Sequence, residues 1–273
     1  MAKQSNYHNK KQQKLTREQR DNQVLGQVFR LFLLGIVAEC FLFFFNNLYL
    51  NGTGQTLVTI YHSLPYACAV GLVAVVVGIV LLLKKREVRP LVRKVYGWIT
   101  GVGAFVAICS LVLYLVYPNG GTYLCVLVPI LTVLGMVYLL FQREFFLIAV
   151  ILSGALFTVW VCRKGVGTVN WNGKALVGAG LVLVGLMVLT ALTAKIQKQD
   201  GRWMAGVKVR LLPADCDYRM LYIAYALSFV AILLAMVVVS TTYYSMWVLG
   251  VALFAFAVYY TTKRTIYYFE DLK

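Results

Sequence analysis

Residues 64–94 read LPYACAVGLVAVVVGIVLLLKKREVRPLVRK. The first twenty carry no charge, and about 20 mostly apolar residues are what a helix needs to cross a hydrocarbon core roughly 30 Å thick. The eleven that follow hold Lys84, Lys85, Arg86, Arg89, Arg93 and Lys94 against the single acid Glu87. An apolar run that stops abruptly at a cationic loop is a membrane span ending on its cytoplasmic side.

Seven further windows of this kind lie along the chain. The expected spans are 24–45, 64–83, 95–117, 124–141, 145–162, 175–194, 220–239 and 246–260. None alternates polar and apolar residues, so a lipid-facing β-barrel is not supported. The fourth and fifth are split only by Gln142, Arg143 and Glu144, either a tight hairpin or a break in one long helix. The last is short and extends to about 20 residues if Tyr243 and Tyr244 belong to it.

The remaining cations agree with this threading. Residues 1–20 hold six Lys and Arg, and the loop after the sixth span adds Lys195, Lys198, Arg202, Lys208, Arg210 and Arg219; the alternate loops hold only Arg163, Lys164 and Lys174. Both termini are therefore expected in the cytoplasm, with an even number of spans. Residues 1–23 read as a basic, disordered tail with helix starting near Thr16 and as part of a retained signal-anchor. Residues 24–262 form a single transmembrane domain, and 263–273 a short cytoplasmic tail.

Composition says the same. Of 273 residues 61% are hydrophobic and only 13% charged, with a net charge of +16. A soluble domain carries about a quarter charged residues, so a soluble enzyme, a disordered chain and a disulfide scaffold are excluded. The positive charge suits the anionic headgroups of a bilayer. No folded basic module or zinc spacing accompanies it, so nucleic acid is not an expected partner. The lack of extramembrane domains suits a bacterial cytoplasmic membrane.

Membrane helices associate through small residues that let backbones approach. Ala67, Gly71, Ala74 and Gly78 lie at offsets 0, 4, 7 and 11, as do Ala224, Ser228, Ala231 and Ala235. Each set follows one helix face. Gly97, Gly101 and Ala104 begin the same pattern in the third span. These faces serve either packing within the chain or a seam with a membrane partner or a second copy.

Glu39 is the one acid well inside a span, roughly 22 Å along the helix from Val24 at 1.5 Å per residue. Arg30, nine residues earlier, points to the opposite face and reaches back to the headgroups. Expected neighbours of Glu39 are Ser110, Thr132 and the Cys125 carbonyl, which Pro129 deprives of its helix donor. Glu39 is then either a proton- or cation-handling site or a structural acid making one interhelical hydrogen bond.

Asp215 and Asp217, on either side of Cys216, lie before the seventh span. Two carboxylates there are candidates for holding Mg²⁺ in a lipid- or glycan-modifying reaction; the plainer reading makes Asp217 the N-cap of the next helix. No His/Cys spacing, protease motif or nucleotide-binding loop is present, so neither a metal nor a cofactor is called for. Asn51, Gly52 and Thr53 match the N-glycosylation pattern, and residues 201–212 read as an amphipathic stretch lying on the membrane surface.

Three functions follow as expectations. The first is a non-enzymatic accessory or scaffold protein for a membrane partner, the second a small-solute or ion transporter or channel using Glu39, and the third a membrane enzyme using Asp215 and Asp217.

Overall fold

The computed structural model describes residues 2–51, 54–84, 90–116, 120–165, 171–198 and 216–270. The elements are α1 (Ala2–Asn51), α2 (Gly54–Lys84), α3 (Pro90–Leu115), α4 (Gly120–Leu140), α5 (Arg143–Gly165), α6 (Trp171–Lys198), α7 (Tyr218–Val237) and α8 (Thr242–Glu270), with one turn of 3₁₀ helix at Val239–Thr241 before α8. Among the described residues there is no strand, and eight helices are long and apolar enough to cross a membrane. The protein is an all-α membrane helical bundle.

Several boundaries differ from the sequence expectation. Helix α1 begins at Ala2 rather than near Thr16. From Ala2 to Leu25 the chain contains neither Pro nor Gly and is rich in Lys, Gln and Arg, residues with good helix propensity. At the other end, α8 runs from Thr242 to Glu270, taking in Tyr243 and Tyr244 and most of the expected short tail. Helix α2 begins ten residues before Leu64 and carries Pro65 inside it. A proline in a membrane helix removes one hydrogen bond without ending the helix, because its neighbours re-satisfy the backbone. Between α4 and α5 the helical run is interrupted at Phe141 and Gln142, which makes them two separate spans.

The chain divides into two compact units, Phe32–Thr132 on one side and Met1–Leu31 with Val133–Lys273 on the other. The first has a small core to which all four of its helices contribute: Leu42 from α1, Leu64 from α2, Cys109 and Leu113 from α3, and Leu124 and Val128 from α4. Its tightest seam joins α2 to α3. A Cβ added to Gly71 would stand 2.7 Å from the Ala107 backbone nitrogen and 2.8 Å from the Gly103 carbonyl oxygen, and one added to Gly103 would stand 2.9 Å from the Ala74 Cβ. Gly78 backs in the same way onto Thr100. The small face of α2 expected from the sequence is thus the face that packs.

The face of α3 is another matter. Gly97 and Gly101 are exposed and an added Cβ at either would meet nothing within 4 Å, while Ala104 is only half-buried. The packing face carries Thr100, Gly103 and Ala107 instead. Successive residues turn by 100°, so α3 holds two small faces side by side, and the complementary fit to Gly71 and Gly78 selects the second.

In the other unit α5 is the hub. More than half of its apolar window is buried (56%), against 39% for α7 and 22% or less for α6 and α8. Ile148, Leu152, Ala155 and Val159 along α5 are 1% exposed or less and pack with residues of α6, α7 and α8 in one core. All four residues of the α7 stripe are buried, Ala224 and Ser228 completely. At one end of the unit Arg163, in the last turn of α5, lies over the Tyr243 ring of α8 at 5.1 Å.

Candidate functional site

Glu39 sits midway along a contact between α1 and α4. On one side of it Gly35 backs onto the Thr132 side chain; on the other, Asn46 lies against Gly121. The two helices run antiparallel here, with a glycine at each end allowing close approach. Glu39 and Asn46 are seven residues apart, two turns on one helix face.

Glu39 Oε2 and Asn46 Oδ1 are both sealed from the surface, and neither accepts a hydrogen bond. Cys125 lies close enough to Glu39 to feel its charge. One turn on, Pro129 interrupts the α4 ladder, since it has no N–H for the Cys125 carbonyl. Thr132, the expected donor, gives its hydroxyl hydrogen to the Val128 carbonyl of its own helix at 2.9 Å. Ser110, the other expected donor, is buried on α3 and does not reach Oε2. Arg30 folds its Nε back to the Gly26 carbonyl of its own helix at 3.1 Å. The structure therefore brings Thr132 and Cys125 to α1 and leaves Pro129 exposed on α4, and it does not form the interhelical hydrogen bond that a purely structural acid would make through Oε2. The seam thus holds two buried oxygens without a hydrogen-bond partner, Glu39 Oε2 and Asn46 Oδ1.

A second polar cluster lies in the other unit, where the start of α5, the approach to α7 and the end of α8 meet. Glu144, in the first turn of α5, is 3% exposed. It accepts a long hydrogen bond from the Tyr260 hydroxyl at 3.4 Å and one from the Cys216 thiol. Lys263 holds its Nζ 5.8 Å from the centre of the Tyr260 ring. Burial pushes the Cys216 thiol up to about 12, the charge of Glu144 and the bond to it add to the effect, Asp217 adds again, and Lys263 opposes. Phe145, next to Glu144, closes the cluster from the apolar core, its ring 5.5 Å from that of Tyr260 and 4.8 Å from that of Phe141. A carboxylate at the positive end of a helix dipole with two donors on it is a stabilised anchor.

Asp217 occupies the N-cap position of α7, yet its side chain makes no capping bond; only its backbone carbonyl is used, accepting from Met220 N at 3.2 Å. Asp217 lies instead close enough to Cys216 and Tyr260 for its charge to act on both. Asp215, the residues at 201–212 and most of the Asn51 glycosylation pattern lie outside the described residues. Among the described residues no group of three His, Cys, Asp or Glu side chains is placed to hold a metal ion.

Glu144, Tyr260 and Asn46 are the residues that reading the sequence passes over. For Asn46 a signal exists, its offset of two helical turns from Glu39. For Glu144 there is none, because its neighbours Cys216 and Tyr260 come from elements remote in sequence. Comparison of the chain with protein-family models, with characterised proteins and with solved structures finds no match.

Proposed function

We propose that the chain is a multi-pass transporter or channel for protons or small cations, with Glu39 as the group that takes up the charge. One observation carries this reading: Glu39 Oε2 is sealed inside the α1–α4 contact with no donor on it, beside a helix interrupted by Pro129. An intramembrane acid in that state is stabilised by binding a proton or a cation. The test is flux in proteoliposomes holding a pH-sensitive dye or a K⁺ or Na⁺ indicator, comparing the parent with Glu39→Gln. The parent should show flux above empty vesicles and the variant should lose it while retaining its thermal unfolding midpoint. Parent flux equal to that of empty vesicles, or unchanged flux in the variant, overturns the proposal.

A second reading, an accessory or scaffold role, is favoured by the exposed glycine face of α3, where nothing stands over Gly97 or Gly101. A helix of a membrane partner, or of a second copy, approaches most closely at such a face. Purification in mild detergent followed by native mass spectrometry tests it: a stoichiometric companion that Gly97→Leu displaces supports the role, and a lone chain overturns it. On either reading, the cationic loops at 84–94 and 195–219 support, by the charge rule, a threading with both termini in the cytoplasm, and the lack of extramembrane domains supports a bacterial cytoplasmic membrane. Labelling of cysteines introduced near each terminus, from each side of the membrane, checks that placement.

A further inference from the structure

We infer that the groove between α6 and α7 is a binding site for an anionic phospholipid, with one acyl chain lying in the groove and the headgroup held by Lys198 and Arg219. The groove has a volume of about 590 Å³, within the range of clefts that hold small ligands. It lies inside two membrane-crossing segments, Ala175–Lys198 and Tyr218–Val237, so its natural occupant is drawn from the bilayer.

The polar groups on its walls call for a hydrocarbon. Three hydroxyls line it, those of Thr190, Tyr222 and Tyr225, and all three are engaged. Thr190 donates to the Leu186 carbonyl at 2.7 Å, Tyr222 donates to Gln197 Oε1 at 2.9 Å, and the Tyr225 hydroxyl is paired with that of Thr193 at 3.1 Å. The rest of the lining is apolar. With these hydroxyl hydrogens engaged, an occupant's acceptors would find no free donor there, whereas an acyl chain brings none.

The charge at one end selects the headgroup. On α6 the groove face runs through Met187, Ala191 and Ala194, at offsets 0, 4 and 7; offset 11 is Lys198. On α7 the face runs through Phe229, Ala226 and Tyr222, and continuing three residues back reaches Arg219. Both cations are exposed and extend the two groove faces at the same end, as the bond between Tyr222 and Gln197 requires. A chain-length apolar trough ending between two cations is complementary to a lipid with a phosphate and a net negative charge.

Native mass spectrometry tests this on the full chain released from nanodiscs of equal phosphatidylglycerol and phosphatidylcholine. The parent should retain phosphatidylglycerol in preference to phosphatidylcholine. Lys198→Gln and Arg219→Gln should each lower that preference about five-fold, which is roughly 1 kcal/mol per cation beside anionic headgroups. Ala191→Trp and Ala226→Trp fill the groove from exposed positions and should abolish retention of both lipids. The charge variants alter only exposed side chains, so they remain informative if a tryptophan variant misfolds. Equal retention of the two lipids by the parent overturns the inference. So does retention that the charge variants leave unchanged, the result expected if another segment of the chain occupies the groove.

Discussion

Replacing Gly71 by Ala sets one methyl group against the α2–α3 seam. The added Cβ would lie 2.7 Å from the Ala107 nitrogen and 2.8 Å from the Gly103 oxygen, both backbone atoms that cannot rotate away. To reach ordinary contact near 3.4 Å the two helices must separate there by about 0.7 Å. A radial gap of 0.5–1 Å forfeits roughly a quarter to a half of each dispersion contact nearby. The close approaches of Gly103 to Ala74 and Gly78 to Thr100 share the seam and open with it. Overpacking of this kind costs about 1–3 kcal/mol. Against that stands the higher helix propensity of Ala, up to about 1 kcal/mol. Gly97→Ala on α3 isolates the propensity gain, since nothing lies within 4 Å of its added Cβ. The difference between the two substitutions should therefore be about 1–3 kcal/mol, or roughly 5- to 150-fold in the unfolding equilibrium. SDS titration in mixed micelles, followed by far-UV circular dichroism, measures it. If both variants move the midpoint in the same direction by the same amount, the assignment of the α3 packing face is wrong.

Three further outcomes follow from the other unit. Ser228 is fully buried and its hydroxyl has no partner, so Ser228→Ala removes an unmatched polar group; a fall in unfolding midpoint would show that the hydroxyl has a role. Tyr260→Phe deletes a donor to the buried Glu144 and should cost about 1–3 kcal/mol, read in the same SDS titration; a cost near zero would mean that the 3.4 Å contact contributes nothing. The Cys216 thiol, ordinarily near 9.0, stays protonated up to about 12 in the folded chain. Its contribution to stability is therefore complete below pH 9 and is lost as pH climbs from 9 toward 12. In a variant where Cys216 is the sole cysteine, maleimide labelling at pH 8 should be markedly slower folded than unfolded, and Glu144→Gln should accelerate it; equal folded and unfolded rates would refute the placement.

Most of the span count is legible in the sequence because bilayer thickness fixes a length, and a run of about 20 apolar residues has few other uses. The small faces of α2 and α7 are legible because in each helix the pattern fits one face. In α3 it fits two, and only the surface of α2 decides between them. At Glu39 the helix face and the break at Pro129 can be read from spacing alone. Which hydroxyl serves the carboxylate cannot, because Thr132 has a carbonyl of its own helix within reach and Ser110 lies on another helix. The cluster around Glu144 is invisible in sequence for a related reason. A polar residue beside a short connection is ordinarily solvated, and what buries this one is the arrival of Cys216 and Tyr260 from later in the chain.

That arrival has a time attached. Tyr260 follows Glu144 by 116 residues, and at about 5–20 residues per second of synthesis the carboxylate waits some 6–23 s for its hydroxyl partner. During that interval α5, the most enclosed helix of the finished unit, has none of α6, α7 or α8 to lie against. Much of its core face, with Ile148, Leu152 and Val159, meets lipid or the insertion machinery before it meets α6, α7 and α8. Biogenesis of this unit is a matter of holding one helix in the bilayer until three others close around it, and the last of them brings the group that seals its charged end.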